Sequence, residues 1–187
     1  MNNILEDEYF AYYISSLKDT SYNKNAKIYL TDSELQVIDF DKVKDNFASD
    51  KKISSPNSVD AVYYSNGILY FIEFKDTVMD RTVVYNVHKK IYDSIIILSS
   101  KLNIPVNEIV ENSIYIVVFS SEKNKDITSK TYIENPNEYY DISNAVGKEC
   151  NQYTILFKLE QYKNYLFKDV YTVNEKTFNK NKANFIK

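Results

Sequence analysis

Apolar positions along the chain change period several times, and each change marks an element. Leu5, Tyr9, Tyr12, Tyr13, Ser16 and Leu17 recur near helical spacing. Glu6, Asp7 and Glu8 stand where a helix dipole favours carboxylates, so a helix is predicted over residues 3–18. Short strands are predicted at 26–31 and 35–40, around the polar Thr31-Asp32-Ser33, and the charged stretch 41–57 reads as a loop. Two β-branched and aromatic runs then flank Asn66-Gly67 within 59–75, which is the sequence pattern of a tight β-hairpin. The stripe Val84, Val87, His88, Ile91, Tyr92, Ile95, Leu98, Ser99, Leu102 predicts a helix over 82–103, with Pro105 just past its end. Residues 114–120 form an unbroken apolar run, as in a strand buried on both faces. After a polar loop at 122–130, the pattern predicts a short helix at 139–146, strands at 153–158 and 165–173, and a terminal helix at 175–186 capped by Asn174.

The hairpin brings charged residues together. With Asn66 and Gly67 as the turn, Ser65 faces Ile68, and counting outward pairs Tyr64 with Leu69, Val62 with Phe71 and Asp60 with Glu73. The last is a non-hydrogen-bonded pair, with Cβ atoms roughly 4.5–5.5 Å apart. Lys75, two residues after Glu73, points to the same side. Opposed carboxylates among Val62, Phe71, Ile72 and Phe74 repel, and desolvation makes an unpaired charge worse, so a cation is expected between them. Mg²⁺ takes one or two carboxylates plus water and phosphate oxygens, and an adjacent ammonium can orient a water. Together these describe a phosphodiesterase site. The plainer alternatives are an ion cluster in which Lys75 neutralises both carboxylates, and a shell of the same form that has lost activity.

Asp60 followed by Glu73-Phe74-Lys75 resembles the signature of the PD-(D/E)xK nuclease superfamily, which includes restriction endonucleases, Holliday-junction resolvases and RecB-type nucleases. The proline of the family name is not adjacent, since Pro56 lies four residues before Asp60. The predicted order of helix, three strands, helix and strand over about 3–120 is similar to the family's αβββαβ core. That resemblance implies one α/β domain over 1–187, with a restriction-endonuclease-like mixed sheet flanked by helices and a C-terminal α/β extension over about 121–187. It further implies a Mg²⁺- or Mn²⁺-dependent endonuclease acting on DNA in preference to RNA, and working as a homodimer where two strands must be cut. Asp60 and Glu73 would hold the ion with the backbone carbonyl of Phe74, and Lys75 would position the attacking water. A first-helix glutamate, Glu6 or Glu8, would be a further ligand, and Lys89 or Lys90 on the second helix would contact nucleic acid.

Composition narrows the other classes. The chain has 187 residues, enough for one domain with a sizeable core, and its 44% hydrophobic and 26% charged content is ordinary for a globular protein. Its 18 Tyr and 10 Phe enrich strands and supply stacking surface. A formal charge of −3 argues against a protein that holds nucleic acid by net charge alone, although the end from Lys176 to Lys187 is locally basic. One cysteine, Cys150, leaves no intrachain disulfide, one histidine, His88, leaves no His-rich zinc site or serine-hydrolase triad, and two glycines leave no phosphate-binding glycine loop. No run approaches a membrane span and the start is acidic, so a cytoplasmic protein with no membrane partner is expected. A non-catalytic protein on the same scaffold, binding nucleic acid or a protein partner as an inhibitor or immunity protein does, is the second functional expectation.

Overall fold

Six strands form one mixed sheet in a computed structural model that describes residues 4–127 and 155–186. In spatial order they are β1 (Ile14–Ser16), β4 (Gln36–Asp39), β5 (Ala61–Ser65), β6 (Ile68–Lys75), β7 (Ser113–Phe119) and β8 (Asp169–Asn174). The first four pair antiparallel, whereas β7 is parallel to β6 and β8 parallel to β7. A parallel neighbour needs a crossover, and helix α3 (Arg81–Leu102) followed by the short α4 (Val106–Glu111) supplies it. The fold is thus α/β with a mixed six-stranded sheet, and β8 brings the C-terminal segment into that sheet.

Alternation along the strands sorts the core into two layers. Ile38, Val62, Leu69, Phe71, Tyr115, Val117 and Phe119 face α3 and the helix α2 (Phe40–Lys51). Val37, Ala61, Tyr70, Ile72, Phe74, Ile116 and Val118 face Leu17 on one side and Phe178 and Phe185 on the other. The latter two stand on α5 (Glu175–Lys180) and α6 (Lys182–Phe185), with Asn174 capping α5 through the Thr177 N–H. The hairpin register is the expected one, from Ser65 opposite Ile68 to Ala61 opposite Ile72.

Asn66 (φ 51°) and Gly67 (φ 80°) both have positive φ, as a type I′ turn requires. A Cβ at Gly67 would meet nothing within 4 Å, so its only penalty is backbone strain. Gly67→Ala is expected to lower stability by about 1 kcal/mol without altering the fold, measured by urea denaturation. An unchanged midpoint would mean that the turn relaxes.

Several expected elements differ. The helix expected over 3–18 is not seen in the described residues 4–18: two 3₁₀ turns, Ile4–Glu6 and Phe10–Tyr13, lead into β1, which pairs Ile14 with Ile38 at the sheet edge. Pairing with β4 wins over the helical spacing there, and Ser16 instead caps the short α1 (Leu17–Thr20). Residues 41–57 are not a loop, because α2 occupies most of them, capped by Asp39. Its charges mask the spacing of Phe40, Val43 and Phe47, whose burial contributes about 1.5–3 kcal/mol each. The strand expected at 26–31 shrinks to β3 (Ile28–Tyr29), which pairs with β2 (Tyr22–Asn23) in a separate two-stranded ribbon. No strand forms at 155–158, and the terminal helix breaks at Asn181. The helix expected at 139–146 and Cys150 lie outside the described residues.

Candidate active site

Asp60 and Glu73 meet where the β5–β6 ladder stops. The closing pair Ser65–Ile68 makes Ala61–Ile72 a hydrogen-bonded pair by alternation, so Val59 and Phe74 would carry the next ladder donors. Both donors go to side chains instead. Phe74 N–H donates to Asp60 Oδ2 at 2.6 Å, and Val59 N–H donates to Ser94 Oγ of α3 at 2.9 Å. Asp60 is therefore not a ladder partner of Glu73, as the register alone suggested. Its own N–H reaches the Ile72 carbonyl at 3.1 Å, and its carbonyl accepts from Phe40 N–H at 3.1 Å. These bonds fix the Asp60 backbone between β6 and the start of α2.

Glu73 projects from the α3 side of β6, two residues after Phe71, and is completely buried. Lys90 answers it from α3. The Lys90 ammonium donates to Glu73 Oε1 at 2.7 Å, to Glu73 Oε2 at 3.0 Å and to Asp60 Oδ1 at 3.1 Å. Lys75 makes an ion pair with Glu73. The ammonium that bridges both carboxylates is that of Lys90, whereas the ion-cluster alternative had Lys75 neutralising the two. Side-chain exposure is 0% for Glu73, 16% for Asp60, 17% for Lys90 and 18% for Lys75, so the cluster is sealed at Glu73 and mostly buried at its other three members. Two carboxylates and two ammonium groups leave it with no net formal charge.

The charges inside the cluster are unequally shared. Burial and then the neighbouring Glu73 carboxylate push the Asp60 carboxyl up to about 6, against the opposing pull of Lys90, Lys75 and the Phe74 N–H. Burial alone would lower Lys90, but Glu73 and Asp60 outweigh it and hold the ammonium above its ordinary range. The shared cation sits closer to Glu73, which leaves Asp60 the less compensated carboxylate. Nearby Asp41 would be raised by burial, yet hydrogen bonds from Ser58 and Lys44 hold it below its ordinary value. Ser58 Oγ donates to Asp41 Oδ1 at 2.6 Å. Tyr115, on β7 beside Phe71, is pushed well up by burial and then by Glu73 and Asp60, and its hydroxyl has no partner among the described residues.

The remaining expected site residues separate. Glu6 and Glu8 are exposed and do not join Asp60 and Glu73, since no group of three His, Cys, Asp or Glu side chains among the described residues is placed to hold a metal ion. Lys89 is exposed, with its ammonium 5.8 Å from the Tyr85 ring centroid. Phe74 faces Asp60 with its backbone: Ser120 N–H bonds to the Lys75 carbonyl and Leu69 N–H to Asn112, so odd-numbered residues of β6 serve β7 and the even ones face β5. His88 is held structurally, with its ring nitrogens 3.0 Å from the Phe157 carbonyl and 3.0 Å from the Tyr162 hydroxyl. A signal for Lys90 over Lys89 did exist. Lys90 lies three residues after Val87 and four before Ser94, both buried, so it is the charge that interrupts the buried face of α3.

Comparison with known proteins found no matching family model, no similar curated protein and no similar solved structure.

Proposed function

We propose that the protein is a divalent-metal-dependent nuclease of the PD-(D/E)xK type that hydrolyses phosphodiester bonds in DNA. The observation that carries this is the Lys90 ammonium, held within 3.1 Å of both Asp60 and Glu73, because it marks a cation position between two carboxylates at the open end of the β5–β6 hairpin. The antiparallel run β4–β5–β6 followed by the α3 crossover to parallel β7 is also the strand order of that superfamily's core. The chain departs from the pattern in having 3₁₀ turns and a short strand in place of a helix over the described residues 4–16, and in placing α2 between the first and second of those strands.

The donor set suits Mg²⁺ or Mn²⁺, which needs one or two carboxylates with water and phosphate oxygens completing the shell. Asp60 and Glu73 would hold the ion, with the Phe74 carbonyl on the same side of β6. Bound there, it would polarise a phosphate and lower the pKa of a water. Lys75, paired with Glu73 and partly exposed, would orient that water. Lys90 must leave the space between the carboxylates, and its long stem lets it turn toward a phosphate instead. A symmetric dimer would present two such sites to the two strands of a duplex.

A second function is favoured by one specific observation: the four charged groups satisfy one another, and Glu73 is wholly buried. Without metal exchange the cluster is a structural plug, and the protein would be a non-catalytic binder of nucleic acid or of a protein. Purified protein incubated with Mn²⁺ and labelled linear, branched and single-stranded DNA, plus RNA, separates the two. Cleavage of DNA is expected, with none detectable for Asp60→Ala or Lys75→Ala variants whose circular dichroism is unchanged. Cleavage that persists in both variants would remove the assignment.

A further inference from the structure

The ribbon of β2 and β3 is a small aromatic and basic projection at the carboxyl end of β6. Tyr22 pairs with Tyr29 across it, their ring centroids 4.7 Å apart, and Tyr29 is 48% exposed. Ile28 is exposed beside them. Residues 22–29 carry Lys24 and Lys27 and no carboxylate, in a chain whose formal charge is −3. Both lysines are exposed, and among the described residues neither makes an ion pair. A third cation, Lys18, lies 5.4 Å from the Tyr29 ring centroid and also reaches Glu34 at 3.4 Å.

Hydrogen bonds close this projection and tie it to the sheet. Asn23 Oδ1 accepts from the Asn25 and Ala26 N–H groups, and the Lys27 N–H closes the turn on the Asn23 carbonyl at 2.8 Å. Asn23 Nδ2 donates to Asp76 Oδ2 at 2.8 Å, which ties the ribbon to the residue after Lys75. Just past β3, Asn179 of α5 accepts from the Thr31 hydroxyl at 2.6 Å and donates to the Leu30 carbonyl at 2.9 Å. Helices α5 and α6 add exposed Lys176 and Lys180, and Lys182, which pairs with Asp32. Nothing in the core calls for two solvent-facing tyrosines on so short a ribbon.

We infer that the Tyr22–Tyr29 ribbon binds single-stranded DNA, stacking an unpaired base on its rings while Lys24, Lys27 and Lys18 meet the flanking phosphates. Aromatic faces with interleaved cations are how sequence-tolerant single-strand sites are built. The position beside Asp76 would lead the strand toward the Lys75 end of the site, so the inference rests on the nuclease proposal for its choice of DNA and for its purpose. Binding itself needs no catalysis.

Fluorescence anisotropy of a labelled oligothymidylate, in EDTA and low salt, tests it. The wild type is expected to bind the single strand more tightly than a duplex of the same length. Tyr22→Ala/Tyr29→Ala should weaken binding about tenfold or more, and Tyr22→Phe/Tyr29→Phe should keep it, because stacking needs the ring and not the hydroxyl. Lys24→Glu/Lys27→Glu should weaken binding and flatten its salt dependence, and provides the test if the alanine variant fails to fold. Unchanged affinity in a folded alanine variant or in the lysine variant would overturn the inference, as would a preference for duplex or for RNA of matching sequence. Cleavage by a wild type that does not bind single strands would overturn it while leaving the nuclease proposal standing. Single-strand binding without Mn²⁺-dependent cleavage would do the opposite.

Discussion

Glu73→Gln is expected to destabilise the metal-free protein by about 3 kcal/mol, the order seen when one partner of a buried ion pair is removed. From the hairpin alone, the opposite sign follows. With only Lys75 between two opposed carboxylates, the site carries excess negative charge and neutralising Glu73 relieves it. The structure adds Lys90, so Glu73 is the fully buried anion that both ammonium groups share. Glutamine in its place leaves two partly buried cations facing Asp60 alone. The pH dependence should change as well. In the wild type, Asp60 is raised to about 6, so its contribution to stability is present below its unfolded value of about 4 and lost as pH rises through 6. In the variant, Asp60 is the sole carboxylate against two cations, its pKa falls, and its contribution is lost as pH falls. The stability gap should therefore widen from pH 7 to about 5 in urea melts performed with EDTA. A variant as stable as the wild type would show that the cluster is solvated and weak.

Lys90→Met is expected to cost about 2–4 kcal/mol in EDTA and to recover most of it in Mn²⁺. Methionine keeps the length and packing of the lysine stem but removes the shared cation, leaving Asp60 and Glu73 with only Lys75. The loss is bounded by Asp60, which can take up a proton. An ion that binds only the folded protein contributes about 2.7 kcal/mol at a hundredfold excess over its dissociation constant. The wild type should gain less from the same Mn²⁺, because its own ammonium competes for the position. Thermal melts of both proteins with EDTA and with Mn²⁺ read this directly. If Mn²⁺ shifts neither protein, the carboxylates hold no ion and the plug account stands; a larger shift in the variant supports the metal site.

Much of this was written locally in the chain. Asn66-Gly67 set the hairpin and its register, the apolar spacing of Val87, Ile91, Ile95 and Leu98 set α3, and the unbroken run in β7 marked a strand buried on both faces. These signals are legible because turn chemistry and periodicity act over a few residues. From that register alone Asp60, Glu73 and Lys75 could be brought to one end of one hairpin. Other elements depended on what lay across the sheet. Residues 3–18 have helical spacing, but the edge of β4 offered ladder partners that no local signal reports, and α2 is a helix because the core accepts Phe40, Val43 and Phe47 despite the charges between them. Tertiary structure alone decided how the site is charged. Lys90 is fifteen residues after Lys75 in the chain, on a different element, and only the packing of α3 over β6 sets its ammonium between Asp60 and Glu73. The end of the ladder at Ala61 was likewise decided there, because Ser94 of that same helix takes the Val59 N–H and frees Asp60 to bind Phe74.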